Sequence, residues 1–320
     1  MKKAVSNIKL IRESKSFIDC LHAVLLAANL YKEPKYMLSG KSGMAFKFCV
    51  HRELLPLSVT SYGQWEAEHH EGMENVGILS NSFAGYTRHP TFPLYQEAAI
   101  FKIKQSIDKG IAVIFWEPEF CVIHGYDDEE QIFFYTNGLD EEEKVVLYDN
   151  FGLNITPFWY VHIVTGKADV SDREAIQMSL QTAIMEWETS HKTPPDTSIA
   201  SGRLGIQYWI NALECGKFDQ RGAAYILSAA IQSKCEITSY MNEVQGMIPQ
   251  VSSACKIYLK LSSLYEEFRR LKHDDTFELI RGLKEAMNME EKAIKELKKV
   301  TSTFPNSYPW VPRWGTGPTR

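Results

Sequence analysis

Cys20 is the residue whose type and surroundings most directly suggest chemistry. It lies in the segment FIDCLHAV, where a polar approach turns into an apolar run. A thiol at the start of a helix experiences the positive end of the helix macrodipole and unsatisfied backbone N–H groups, and both favour the thiolate. Because the thiolate is the nucleophilic form, Cys20 is a candidate for covalent catalysis. The alternative is a small buried hydrophobic residue, which is a common role of free cysteine.

A thiol enzyme also needs a base and a group that orients the base, so the elements around Cys20 must be identified. Residues 20–31 are apolar on nearly all sides, which predicts a buried helix. A second helix is predicted over 93–109, with Gly110 just beyond its end. Short apolar runs that follow predict strands, and they lie at 111–116, 120–126, 131–135, 145–148 and 159–164. A helical part followed by neighbouring strands is the α+β pattern.

The character of the sequence changes near residue 167, after which almost every segment predicts helix. Ser171 and Glu174 form a capping box at the start of the first of these helices. Later helices with apolar stripes, most simply the core of a helix bundle, are predicted at 204–214, 220–245, 250–271 and 275–300. Three regions are therefore predicted: an α+β domain over 1–167, a helical bundle over 168–302, and a Pro/Trp-rich tail over 303–320 that packs on the body.

The composition sets limits on the class of protein. The 320-residue chain is 44% hydrophobic and 23% charged, with a net charge of −5, which is globular and offers no basic surface for nucleic acid. The basic first residues are followed by no apolar signal region, and no apolar run approaches the ~18 residues of a membrane span. The six scattered cysteines include no C-x-x-C pair. We expect a cytoplasmic protein with no metal, cofactor, nucleic-acid or membrane partner.

Two segments near the start resemble a known family. DCLHA, from Asp19, and SGKSGMAF, from Ser39, are similar to the N-terminal domain family named for the butirosin-biosynthesis acyltransferase. Members of that family carry a Cys-bearing helix followed by a Gly-x-x-Gly-x-x-Phe segment. The family belongs to the papain-like cysteine peptidases and acyltransferases.

Three later segments extend the resemblance. DKGIAVI from Asp108, EFCVIHGYD from Glu119 and VLYD from Val146 are similar to segments that this family shares with bacteriocin-processing cysteine peptidases. The resemblance covers residues 14–165 and depends on the order and spacing of the motifs. It implies a papain-like domain, in which a buried Cys-bearing helix packs on an antiparallel sheet. The helical patterns after residue 167 predict that an all-α helical domain follows it.

The resemblance also implies roles for particular residues. Cys20 would attack a thioester or amide, its backbone N–H would help to bind the oxyanion, and Asp149 would orient the base. The reaction implied is acyl transfer or peptide cleavage in natural-product biosynthesis, with an acyl carrier protein or a peptide as partner. The residues expected to line a binding cleft near Cys20 are Asp19, Ser42, Gly43 and Phe46.

Glu119 departs from the family pattern, because the family has its catalytic His at this position. On a regular strand Glu119 and Cys121 face one side and His124 faces the other, so His124 is no simple replacement. A carboxylate at the base position disfavours a neighbouring thiolate, which is the opposite of what an imidazolium does. The remaining histidines lack a partner pattern, and the pair His69–His70 is expected in an exposed or loop segment.

Two functions therefore stay open from the sequence. The first is a thiol enzyme that uses Cys20, with Glu119 at the base position and Asp149 behind it. The second is a catalytically degenerate papain-like scaffold that binds a peptide or carrier, or that pairs with another protein. A homodimer through the helical domain is one form of such pairing.

Overall fold

The structure is a computed structural model, and it describes residues 2–13, 15–56, 65–191, 196–271 and 275–304. Its architecture is mixed helix and antiparallel sheet, which confirms the expected combination of elements. Most of the predicted tail at 303–320 lies outside the described residues, which end at 304.

Strands and helices are intermingled in the first part of the described chain, whereas helices predominate after β8. The strands are β1 (Lys2–Ala4), β2 (Cys49–His51), β3 (Ile78–Tyr86), β4 (Val113–Trp116), β5 (Phe120–Asp127), β6 (Ile132–Thr136), β7 (Lys144–Leu147), β8 (Phe158–Lys167) and β9 (Ile199–Ser201). The helices are α1 (Ser16–Ala27), α2 (Lys35–Lys41), α3 (Trp65–Asn75), α4 (Phe92–Asp108), α5 (Asp172–Glu188), α6 (Gly202–Cys215), α7 (Gln220–Met247), α8 (Ser252–Phe268) and α9 (Thr276–Thr301). Within the described ranges, none of these helices combines the length and apolar character that crossing a bilayer requires.

The chain forms two compact units, and the first unit is interrupted. It contains Met1–Lys35 and Gly77–Asp169, whereas the second contains Tyr36–Val76 and Val170–Arg320. Residues 36–76 therefore fold with the mainly helical unit, although the sequence places them in the α+β domain. The cause is apolar burial, because several side chains of this segment belong to the core of the second unit, among them Met37, Val50 and Leu54.

The first unit is built on an antiparallel sheet whose described strands follow the order β3-β8-β4-β5-β6-β7, with β1 paired to the end of β5. On one face α1 packs through Phe17, whose ring centroid lies 5.2 Å from that of Phe120 and 5.4 Å from that of His162. On the other face Ile103 of α4 shares a core with Cys121. Phe120 and Cys121 are neighbours on β5, so the two faces follow the alternation of strand side chains.

The second unit is mainly helical but also contains a two-stranded antiparallel sheet of β2 and β9. The expected all-α domain is therefore corrected. Its helices share one apolar core, in which Trp209, Ile237 and Leu261 are fully or almost fully buried. The capping box at the start of α5 is present, since Ser171 accepts from the backbone of Glu174 and the Glu174 carboxylate accepts in return.

Two polar segments of the second unit are at least partly helical: the glycine-containing segment from Ser39, and the segment around His69–His70, which is expected to be exposed or a loop. Gly40 lies in α2, and a Cβ at this position would overlap the ring of Tyr240, so glycine permits close helix packing here. Glu68 and His69 lie in α3 and are only 3% and 1% exposed, which corrects the expectation that His69–His70 is an exposed segment. In both cases contacts made elsewhere in the second unit override the local polarity of the sequence.

Candidate functional site

Cys20 lies one turn inside α1 and not at its first residue. The helix begins at Ser16, and the N–H of Asp19 already donates to the carbonyl of Lys15 at 3.1 Å. The N–H of Cys20 therefore lies within the hydrogen-bonded ladder of the helix and cannot also bind an oxyanion. This corrects the expectation that Cys20 begins the helix, because the dipole effect is concentrated in the first turn.

The thiol of Cys20 is held in its neutral form. Cys20 is 0% exposed, and burial is the main reason why its pKa is raised well above the ordinary value. Cys121 raises this pKa further and the Arg12 guanidinium lowers it, while Asp19 and Glu119 add smaller increases. The carboxylates near Cys20 thus oppose the thiolate that nucleophilic catalysis requires.

Glu119 contacts the start of α1. Its φ of 142° is rarely adopted by a residue with a side chain, and it interrupts the regular strand alternation just before β5. The hydroxyl of Ser16 donates to its carboxylate, and the N–H of Phe120 donates to the same hydroxyl at 3.2 Å. Alternation along β5 therefore does not decide where Glu119 faces, and its carboxylate is fixed beside the helix that carries Cys20.

Arg12 ties the N-terminal segment to this site. Its Nη2 donates to the carbonyl of Phe120 at 2.7 Å, and its Nε donates to the carbonyl of Asn137 at 2.9 Å. Its Nη1 also lies 3.9 Å from the carboxylate of Glu119. The sequence does not predict a role for Arg12, because no local motif surrounds it. Its cation is the nearby charge that favours a thiolate at Cys20.

Asp19 has a structural role in the first unit. Its carboxylate, which is 1% exposed, accepts from the N–H of Glu13 at 2.9 Å and from the ammonium of Lys35 at 2.6 Å. Lys35 also pairs with the carboxylate of Glu13. Asp19 therefore links Glu13, which precedes α1, to Lys35, the last residue of the first segment of this unit. These contacts occupy the carboxylate that the sequence analysis expects in a substrate cleft.

Asp149 lies far from Glu119 along the sheet. It is exposed and lies in a short 3₁₀ turn after β7. Leu147 of β7 pairs with Ile132 of β6, and Ile132 pairs with Asp127 at the end of β5, so Asp149 lies near that end of β5. Glu119 stands before the opposite end of β5. Eight strand residues at ~3.3 Å each separate the two levels, so Asp149 cannot orient a base at position 119.

Asn137 is the residue that the β5–β6 hairpin places near the level of Glu119. Thr136 is paired with Val122, so Asn137 follows β6 at the level where β5 begins. Papain-like enzymes use Asn as the third member of a Cys–His–Asn set. The charged turn at 127–130 predicts the β5–β6 hairpin, and counting back along that hairpin would have identified Asn137 from the sequence.

Ser42, Gly43 and Phe46 make their contacts within the second unit. A Cβ at Gly43, which has a φ of 77°, would stand 2.8 Å from a methyl carbon of Thr182. The Ser42 hydroxyl is buried and donates to the carbonyl of Ser39, while the Phe46 ring packs near tyrosines of α7 and α8. These residues contribute to the packing of the helical unit.

The described histidines of the first unit are engaged with groups other than the thiol. His22 Nε2 lies 3.0 Å from the carbonyl of Glu33, and burial lowers the pKa of this imidazole. His162 Nδ1 lies 2.8 Å from the hydroxyl of Tyr160. His124 and His89 contact Glu143 and Thr91, respectively. None of these contacts pairs an imidazole with Cys20.

Among the residues that the structure describes, no group of three or more His, Cys, Asp or Glu side chains is arranged to hold a metal ion. The sequence matches no known family model and resembles none of the curated proteins. The site itself consists of a buried thiol, a carboxylate held beside the helix that carries it, and an arginine that contacts the carbonyls of Phe120 and Asn137.

Proposed function

We propose that the first unit is a papain-like domain that has lost thiol catalysis and that the protein acts by binding an extended peptide. The observation that carries this proposal is the environment of Cys20. The thiol is fully buried inside α1, and the group beside the start of that helix is the carboxylate of Glu119.

The papain-like part of the proposal is supported by the order of three positions. Cys20 lies on a helix packed against an antiparallel sheet, Glu119 precedes the strand β5, and Asn137 follows the strand paired with it. A Cys–His–Asn set in the same order is the papain-like arrangement. Only the middle position differs in chemical type.

The loss of catalysis follows from that difference. A neutral imidazole can accept the proton of a thiol and then stabilise the thiolate as an imidazolium. A carboxylate that accepts the proton becomes neutral, and before that its charge opposes the thiolate. The Glu119 carboxylate already accepts a hydrogen bond from the hydroxyl of Ser16, and the N–H of Cys20 lies in the backbone hydrogen-bond ladder of α1. In the described part of the chain, the Glu119 carboxylate and the N–H of Cys20 are thus both engaged in structural hydrogen bonds.

A peptide ligand is supported by the edge of the sheet. β7 is the last strand in the order of the first unit, and Val145 and Leu147 on it are 57% and 49% exposed. The backbone of an edge strand can pair with an added strand, and exposed alternate side chains can contact it. An extended peptide with alternating apolar side chains fits this edge.

Alkylation tests the lost catalysis. Native protein is treated with iodoacetamide between pH 6 and 9 and mapped by mass spectrometry, with the exposed Cys215 as the internal control. We expect Cys215 to react and Cys20 to stay unmodified until the protein is unfolded in urea. A labelled acyl adduct on Cys20 from a thioester, or a Cys20 reaction with a midpoint below the ordinary thiol pKa of ~8.5, would falsify the proposal.

A gain-of-function variant tests the assignment of the base position. Glu119→His places an imidazole where the papain-like arrangement has one, and we expect faster alkylation of Cys20 near neutral pH in partly denaturing urea, where the reagent can reach the thiol. Glu117→His is the matched control, since it adds an imidazole two residues earlier. Equal rates for both variants would show that position 119 is not the base position.

The peptide is tested separately by hydrogen exchange. An added peptide of alternating Val and Thr is expected to slow exchange of the amides of β7 and to leave those of β4, an internal strand, unchanged. Val145→Pro removes a backbone donor from the edge strand, and it should abolish the protection if the peptide pairs there.

A further inference from the structure

The pair of helices α8 and α9 carries a groove of about 680 Å³ on its surface. Leu259 in this groove is 54% exposed, and Leu264 and Met289 are half-buried. Ser263, a small residue, lies beside Leu264 and is exposed. The groove therefore offers an apolar centre to which another helix could come close.

The two helices run in opposite directions along the groove. At one end Gly282 of α9 faces Phe268, because a Cβ there would overlap the Phe268 ring. Toward the other end Tyr258 of α8 and Glu290 of α9 line the same internal cavity. As the residue numbers fall along α8 they rise along α9, so the pair is an antiparallel hairpin.

Four charged residues divide the groove into a negative and a positive end. Glu267 and Glu285 lie near the Phe268–Gly282 contact. Lys260 and Lys292 lie seven residues away on their respective helices, which is two turns or ~10 Å in the same direction.

These four charges differ from their neighbours. Within the described part of the chain none of Lys260, Glu267, Glu285 and Lys292 is in an ion pair, whereas Glu266 pairs with Arg269 on α8 and Glu291 pairs with Lys295 on α9. The groove thus keeps two positive and two negative groups available at fixed positions around apolar side chains.

We propose that this groove is the interface of a homodimer. A second copy turned by 180° about an axis near Ser263 and Met289 places its glutamates opposite Lys260 and Lys292. The same rotation places its lysines opposite the glutamates of the first copy. A two-fold interface must be complementary to itself, and a groove with one positive and one negative end about an apolar centre meets that condition.

The paired hairpins form an antiparallel four-helix arrangement. Leu259, Leu264 and Met289 supply the apolar area that drives association, and the charges select the register and the partner. A different protein could dock here without any symmetry in the groove, so the symmetry favours a second copy. The dimer goes beyond the peptide-binding function proposed for the first unit, and it does not depend on Cys20.

Light scattering of the full-length protein tests the dimer. The wild type is expected at about twice the monomer mass of 36.6 kDa at micromolar concentration. The double variants K260E/K292E and E267K/E285K each bring four like charges to both sides of the axis. Each should raise the dissociation constant at least about 100-fold and give monomers.

Mixing the two double variants gives the decisive result, because one groove is then wholly negative and the other wholly positive. An equimolar mixture is expected to return to the dimer mass. The matched control K295E/K299E makes the same change of charge outside the groove on α9 and should stay dimeric. A monomeric wild type, dimeric reversal variants, or a mixture that stays monomeric with both variants folded by circular dichroism would each overturn the proposal.

Discussion

The two units each bury a titratable side chain, and carboxylates lie near both. In the first unit burial keeps the thiol of Cys20 neutral, and the nearby Asp19 and Glu119 carboxylates raise its pKa by smaller amounts. In the second unit Lys47 is 0% exposed, hydrogen-bonds to Glu68, and lies 3.3 Å from Glu186. Burial alone would lower the pKa of Lys47, but the carboxylates raise it above the ordinary value.

The difference lies in the side chain and not in the neighbours. A carboxylate favours the protonated form of any group beside it. For a thiol the protonated form is neutral and unreactive, whereas for an amine it is the cation that binds the carboxylates in return. Carboxylates therefore add to the neutral, unreactive form of Cys20 and to the charged, paired form of Lys47, and the Arg12 guanidinium near Cys20 only partly offsets the effect of burial on the thiol.

The largest expected effect comes from breaking the Lys47 cluster. Lys47→Met leaves Glu68 and Glu186 buried without the ammonium, so we expect a loss of ~3–5 kcal/mol in the free energy of unfolding. Urea denaturation measures this loss. Lys41→Met is the control, since the carboxylate that pairs with Lys41, Asp172, is 61% exposed, and its loss should be smaller. A Lys47→Met loss below ~1 kcal/mol would contradict a charged cluster.

The corresponding contact in the first unit should be somewhat weaker. Asp19→Ala removes the acceptor of both Lys35 and the N–H of Glu13, and we expect a loss of ~2–3 kcal/mol. Because Asp19 is one of the groups that raise the pKa of Cys20, that pKa should also fall. Urea denaturation and thiol titration check the two results. Asp172→Ala is the matched control, with a loss below ~1 kcal/mol.

Cys20 and Lys47 should affect the free energy of unfolding in different ranges of alkaline pH. The unfolded thiol loses its proton near pH ~8.5 and the folded one at a higher pH, so Cys20 lowers the stability as pH rises above ~8.5. This slope is at most ~1.4 kcal/mol per pH unit, and Cys20→Ala should remove it. Lys47 contributes fully until the unfolded lysine titrates near ~10.4 and loses its contribution above that pH. Equal slopes for wild type and Cys20→Ala between pH 8.5 and 10 would refute the neutral buried thiol.

The smallest expected effect comes from neutralising Glu119. Glu119→Gln keeps an acceptor for Ser16 but removes a charge, so a loss of about 1 kcal/mol is expected. The pKa of Cys20 should fall only slightly, because burial and Cys121 act on it more strongly. Urea denaturation and alkylation in partly denaturing conditions measure the two changes. Glu117→Gln serves as the control and should leave the pKa of Cys20 unchanged.

Sequence patterns predicted the elements whose local signals agree with their burial. The strand predicted at 111–116 is β4, and the capping box of Ser171 and Glu174 marks the start of α5. The start of α1 was missed because Ser16 resembles a polar approach, while the packing of Phe17 on the sheet extends the helix. β3 was missed because its polar and glycine-containing sequence lacks an apolar run.

The site was predictable in part and for a different reason. The position of Glu119 came from a motif, and the structure places that residue beside the helix that carries Cys20. Asp149 was predicted because it follows a strand. Which strand ends lie side by side depends on the pairing of the hairpins, and that pairing places Asn137, and not Asp149, near the level of Glu119. The φ of Glu119 and the contacts of Arg12 depend on tertiary structure and leave no pattern in the sequence.

The interruption of the first unit affects how the chain can be made. During synthesis residues 36–76 leave the ribosome well before residue 170, where the rest of their unit begins. Met37, Val50 and Leu54 must therefore wait for their core partners while the strands of the first unit are still being added. During this interval the apolar side chains of residues 36–76 lack their core partners, and a chain terminated at residue 167 would remain in that state.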